Sequence, residues 1–170
     1  MKVTGITETG QYLIFKVDHE TYAMDINQVR EVLEFTDITM VPRMPEFMCG
    51  VINLRGGVVP VVDLRIKFGM SGTEKTINTC IIIIDLIIEG EGTLIGLLAD
   101  SVQEVMNMGA DQIIPPPKIG TRLNTEFIKG MGKKNDEFVI LLDMDRIFSS
   151  GDLTAPLEPE ETQIQAQGLF

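Results

Sequence analysis

The stretch CGVINLRGGVVPVVDLR, residues 49–65, holds two apolar runs joined by Arg-Gly-Gly. Short runs of Val, Ile and Leu bent by a pair of glycines read as a β-hairpin. Polar and apolar residues alternate poorly along both arms, so each arm is expected to be buried on more than one face. A single cation, Arg55, stands at the bend. It can solvate the turn, brace the barrel around it, or present a charge to a partner.

The same pattern recurs on both sides. Segments 12–17, 21–26, 80–88, 93–98 and 138–142 are rich in Ile, Val, Leu, Phe and Tyr and bounded by Gly, Asp, Asn or Pro, which predicts strands. Sustained helical periodicity is absent. Val17-Asp18-His19-Glu20 and Gly90-Glu91-Gly92 read as hairpin turns. The fold class is all-β.

Self-comparison divides the chain. Residues 24–32, MDINQVREV, match residues 97–105, LLADSVQEV; Val41-Pro42 matches Ile114-Pro115; Glu46-Phe47 matches Glu126-Phe127; and VVDL at 61–64 matches LLDM at 141–144. One small unit is therefore used twice. Each copy is expected to run hairpin, helical turn at Val-x-Glu-Val, extended arm, helical turn led by Glu-Phe, and closing hairpin. Closing strands this short into a barrel removes exposed edges, so two barrels side by side with a groove between them are expected. Residues 11–79 would form mainly the first and 80–149 mainly the second, with Phe47 and Phe127 filling their interiors. Asp63 and Asp143, in equivalent places, read as turn-holding acids. Under this comparison Arg55 falls against Asn135, an ordinary turn residue. Residues 151–170 contain no Lys or Arg and read as an acidic, mobile tail.

Composition narrows the function classes. A formal charge of −11 argues against nucleic acid or anionic lipid as a direct ligand, because binding either requires Lys and Arg to neutralise phosphate. Cys49 and Cys80 lie inside apolar runs, as buried free thiols do in a reducing, intracellular protein. No segment has the length and apolarity to insert into a membrane. The single histidine, His19, sits between two acids at a hairpin tip, with no buried group to fix its tautomer. Catalytic triads, metal sites and cofactor loops find no support: Gly90-Glu91-Gly92 joins strands rather than opening a helix, and Glu89 and Glu91 would repel phosphate.

Four segments together, QYLIFKVDHETYAMDINQVREVL (11–33), PEFMCGVINLRGGVVPVVDLRIKFG (45–69), LLADSVQEVMNM (97–108) and LNTEFIKGMGKKNDEFVILLDMDRIF (123–148), resemble the CheW family of bacterial chemotaxis coupling proteins. The resemblance covers about residues 11–149 and implies one CheW-like domain over residues 1–150. It implies two SH3-like five-stranded β-barrel subdomains with short helical turns, no enzymatic activity, and neither cofactor nor metal. It also implies a cytoplasmic scaffold recruited to membrane-associated arrays, where it joins methyl-accepting receptor tips to the regulatory domain of the histidine kinase CheA. The family's receptor-coupling Arg and Glu fall on Arg55 and Glu31, beside Val29. A charge pair of this kind orients an incoming helix, while Val29, Val32, Val102 and Val105 supply apolar area. The competing class is an enzyme or small-ligand regulator that uses the inter-barrel groove as a pocket.

Overall fold

The computed structural model describes residues 9–116 and 125–148; the tail expected over 151–170 lies outside them. The first half contributes β1 (Gly10–Val17), β2 (Glu20–Asp25), β3 (Val29–Glu34), β4 (Met48–Leu54), β5 (Gly57–Asp63) and the short helix α1 (Leu64–Lys67). The second contributes β6 (Cys80–Ile88), β7 (Glu91–Ala99), β8 (Ser101–Met108), β9 (Ile113–Ile114), β10 (Ile128–Lys134), β11 (Glu137–Leu142) and α2 (Met144–Ile147). The repeat in the sequence is thus a repeat of elements.

The halves exchange strands. One sheet has six strands in the order β8-β1-β2-β11-β10-β9, the other five in the order β3-β6-β7-β5-β4. Each half therefore lends its opening hairpin to the sheet that carries the other half's closing hairpin. Pairings between the halves are antiparallel for β1 with β8 and β3 with β6, and parallel for β5 with β7 and β11 with β2. Each sheet is joined edge to edge by one bent run of chain. Beyond β8, a 3-10 turn at Ala110–Gln112 leads into β9, which pairs with β10. Beyond β3, Thr39 bridges Val51 of β4. The result is two small SH3-like subdomains, each curled so that the chain leaving its edge strand β3 or β8 reaches the opposite edge.

The poor alternation of the strands has a direct cause. Along β1, Tyr12 and Ile14 point into the six-stranded subdomain, whereas Leu13, Phe15 and Val17 point into a cluster between the subdomains. Along β6, Ile81 and Ile83 fill the five-stranded interior, while Cys80, Ile82, Ile84 and Leu86 join that central cluster. β5 behaves likewise, with Val59 and Val61 inside and Val62 in the centre. These strands are buried on both faces, and the largest core lies between the subdomains.

Three expectations are corrected. Val-x-Glu-Val is not helical: both copies lie in edge strands, β3 and β8, each paired along one side by a single strand. The helical turn comes earlier, at Ile26–Gln28, where the Asp25 carboxylate accepts the Asn27 N–H at 2.9 Å. Second, Glu89 and Gly90 make the β6–β7 turn, with φ of 51° and 82°, and Glu91 and Gly92 already belong to β7. A two-residue hairpin turn with both residues left-handed follows the strands' own twist. Third, Phe47 and Phe127 are partly buried against the central cluster and fill neither interior. They precede the closing hairpins, where the carbonyls of Phe47 and Phe127 accept the N–H of Asp63 and Asp143.

Both aspartates cap the helices that follow, accepting N–H groups from Arg65 and Arg146 respectively. Where the chain crosses between sheets, Asp100 accepts the Arg65 guanidinium at 2.8 Å and the Asp18 backbone N–H.

Candidate functional site

Arg55 and Gly56 form the two-residue turn between β4 and β5, with φ of 51° and 87°. The Asn53 side-chain oxygen accepts the Gly56 N–H at 2.8 Å, closing the tip. A left-handed turn position suits Gly or Asn, and the equivalent position of the second half does hold Asn, Asn135, with φ of 56°. Arg is a costly choice there for backbone reasons, so its side chain carries the explanation.

That side chain reaches β3. Arg55 Nη1 and Nη2 donate to the two carboxylate oxygens of Glu31 at 2.7 and 2.8 Å, a bidentate fork. The Arg55 side chain is nevertheless 71% exposed and that of Glu31 27%. The hydrogen bond from Arg55 holds the Glu31 carboxyl below the usual carboxylate range, against a smaller opposing effect of desolvation. The same bond raises the Arg55 guanidinium. A β-bulge between Val29 and Glu31 leaves Arg30 to pair separately with Asp85, at 3.3 Å.

The structure sorts the expected residues into distinct positions. Arg55 and Glu31 meet. Val29 and Val102 pack against the central cluster. Val32 and Val105 are 41% and 47% exposed. Val32 lies opposite Ile82 and Val105 opposite Leu13, two residues of the central cluster, so both valines stand on sheet faces turned toward the other subdomain. Glu31 lies opposite Ile83, a residue of the five-stranded interior. The charge pair therefore caps one subdomain's end, while Val32 emerges on the opposite face of the same strand.

The second half carries a counterpart that sequence comparison missed. Glu104 stands where Glu31 does, and Lys134 Nζ lies 2.5 Å from its carboxylate. Matching Arg55 to Asn135 hid this, because the partner cation lies one residue earlier, on β10 instead of in the turn. Near it, Ile114 and Phe138 are 45% and 54% exposed and line an open depression of about 420 Å³ with Asp111, Gln112, Met131, Lys133 and Asn135.

Reactive chemistry is sparse. The His19 side chain is 95% exposed and 3.8 Å from Asp18. Burial pushes the Cys49 thiol up to about 11, helped by the charge of Asp63, and burial also raises Cys80. Among the described residues no group of His, Cys, Asp and Glu side chains is placed to hold a metal ion, and no helix is long and apolar enough to cross a membrane.

The family model described as CheW-like domain matches residues 11–152. The chain belongs to this family. A chemotaxis protein CheW from Klebsiella aerogenes is 34% identical over 152 residues, covering 89% of each chain. The protein of the same name from Thermotoga maritima is 32% identical over 140 residues, 81% of this chain and 86% of that one. In three dimensions the CheW scaffolding protein TtCheW from Thermoanaerobacter tengcongensis superposes with a TM-score of 0.75 at 32% identity, over 91% of this chain and 96% of its own. The CheW match spans both subdomains and both charge pairs.

Proposed function

We propose that this chain is a non-enzymatic adaptor that couples methyl-accepting chemotaxis receptors to the histidine kinase CheA, working in the cytoplasm and recruited to membrane-associated receptor arrays. The observation that carries the reading is the exposed Arg55 and Glu31 fork, set on a turn position that favours Asn or Gly, in a chain that matches the CheW-like domain over residues 11–152. Relatives named chemotaxis protein CheW and a solved structure titled a scaffolding protein support the same class.

The receptor tip is a helical structure docking across the free edge of β3, where Glu31 and Arg55 stand on one face of the strand and Val32 on the other, with Val29, Val102 and Val105 adding apolar area. Aliphatic side chains provide the contact area, and the charge pair fixes register. The kinase regulatory domain packs barrel to barrel elsewhere on the molecule. An internal brace is a weaker account of Arg55. Ion pairs this open to water contribute little to stability, and the second subdomain forms its equivalent pair from a strand lysine without disturbing an Asn turn.

The test is reconstitution. Purified CheA regulatory domain and receptor cytoplasmic fragments, mixed with this chain, are expected to co-elute as a ternary complex. Absence of both binary complexes, together with a thermal shift by a small molecule or a measurable turnover, would return the chain to the pocket-using class.

A further inference from the structure

Strand pairing divides cleanly between local and exchanged contacts. Within the first half β1 pairs β2 and β4 pairs β5, and within the second β6 pairs β7 and β10 pairs both β9 and β11. These pairings join neighbours in the chain. Apart from β9 on β10 and the Thr39–Val51 bridge, every pairing that extends a hairpin into a larger sheet joins the two halves. A half by itself is a set of hairpins with unpaired edges, and another half must complete it.

The covalent link between the halves is the segment from Phe68, the C-cap of α1, to Thr79. Met70 packs against the central cluster and Lys75 Nζ lies over the Phe35 ring, but the link's side-chain hydrogen-bonded fastening is at Asp63. The Asp63 carboxylate, 4% exposed, accepts the Arg65 N–H at 3.0 Å and both the N–H and the hydroxyl of Thr73, at 2.9 and 2.8 Å. Asp143 occupies the matching place and accepts the Arg146 N–H, but it precedes no link between halves. Among the described residues Asp63 thus does a second task that Asp143 does not.

We infer that a second copy of this chain can supply the completing half, giving a strand-exchanged dimer, and that the Asp63 clasp on Thr73 with the loop it secures keeps the exchange within one molecule. The reasoning is one of tethering. A flexible loop of this length presents one half to the other at an effective concentration on the order of millimolar, so below that level each chain closes on itself. All inter-half contacts, including Arg65 with Asp100, re-form unchanged between copies, and only the loop path differs. Such exchange is a recognised low-cost route to dimers when a hinge loop is altered.

The loop also sets how short the link can become. Asp63 and Ile81 both pair with Leu98 of β7, so they stand two strand spacings apart, about 10 Å. Deleting 69–78 leaves Phe68 and Thr79 to cross that gap. With α1 intact, the chain from Lys67 to Cys80 then reaches about 11 Å at most, barely the strand gap alone, so closure within one chain requires α1 to unwind.

Glu34 lies opposite Cys80 across β3 and β6, so Glu34→Cys supplies a disulfide partner that reports which chain completes which. The chain lacking 69–78 and carrying Glu34→Cys is expected to be a dimer by light scattering, with native β-sheet circular dichroism, and to run as a covalent dimer on a non-reducing gel. A folded monomer overturns the inference, as does a dimer that cross-links only within each chain, or a chain that stays unfolded at roughly millimolar concentration. In the full-length protein, Thr73→Val refolded at the same concentration should give a dimer fraction several-fold above the parent; equal fractions overturn the role of the clasp. None of these readouts involves a receptor or a kinase.

Discussion

Arg55 is in conflict with its backbone, and that conflict is informative. At φ of 51° an Asn fits better than an Arg. Arg55→Asn should therefore leave the thermal melt unchanged or slightly raised, while receptor affinity falls about ten-fold or more with loss of the charge contact. A melt that drops with the affinity would make Arg55 a structural brace. The pH dependence of the pair follows from its sign. The Glu31 carboxyl is held low by Arg55, so the pair is complete at neutral and mildly acidic pH and is lost only as pH falls through that depressed value. Receptor binding should accordingly be flat from pH 8 to about 5 as far as this pair is concerned, yet weaken with added salt. The thiols give a separate check. Burial raises both Cys49 and Cys80, so neither should react with a thiol reagent at pH 8 in minutes, and both should react at once in denaturant. Rapid native labelling of either would contradict the packing described for them.

The hairpins and the repeat were legible because turn residues and apolar runs are local signals. Arg55-Gly56-Gly57 marked the bend that the structure has, and the matched segments marked equivalent elements. The edge strands β3 and β8 are not legible as strands, because short Val-x-Glu-Val stretches fit either period and only pairing partners far along the chain decide between them. Gly50 shows what such pairing demands. Its φ is 146°, and a Cβ there would sit 2.2 Å from the Thr39 carbonyl oxygen, at the bridge that covers the edge of the five-stranded subdomain. Gly50→Ala should cost about 3 kcal/mol or more in denaturant melts, by forcing that bridge apart. A change within a few tenths would mean that the Thr39 and Val51 bridge is not needed. Phe47→Ala and Phe127→Ala remove rings that are only partly buried, against the central cluster. About 2 kcal/mol each is expected, below the loss typical of a fully enclosed ring; losses above about 4 kcal/mol would place them in a closed interior after all.

The exchange of strands was the feature least accessible from sequence. Hydrophobic runs say that β1, β5 and β6 are buried on both faces, but not which neighbour covers each face, and the same pattern suits two independent barrels or two interwoven ones. The outcome places the main core between the subdomains and sets Val32 and Val105 on the faces that look across it. The candidate site was half legible for the same reason. Arg55 and Glu31 were picked out by resemblance to a family and prove to touch, whereas Glu104 with Lys134 was hidden by a one-residue shift of the cation. The claim that unites these features is that the Arg55 and Glu31 pair serves receptor docking and is dispensable for folding and for kinase binding. Calorimetric titration of the receptor cytoplasmic fragment and of the CheA regulatory domain into the parent, Arg55→Glu, Glu31→Arg and the double charge swap tests it directly. Each single reversal should weaken receptor binding by roughly ten- to a hundred-fold with kinase affinity and melting temperature unchanged, and the double swap should recover part of the loss. Loss of kinase binding with receptor binding intact, or loss of folding in either single variant, would contradict it.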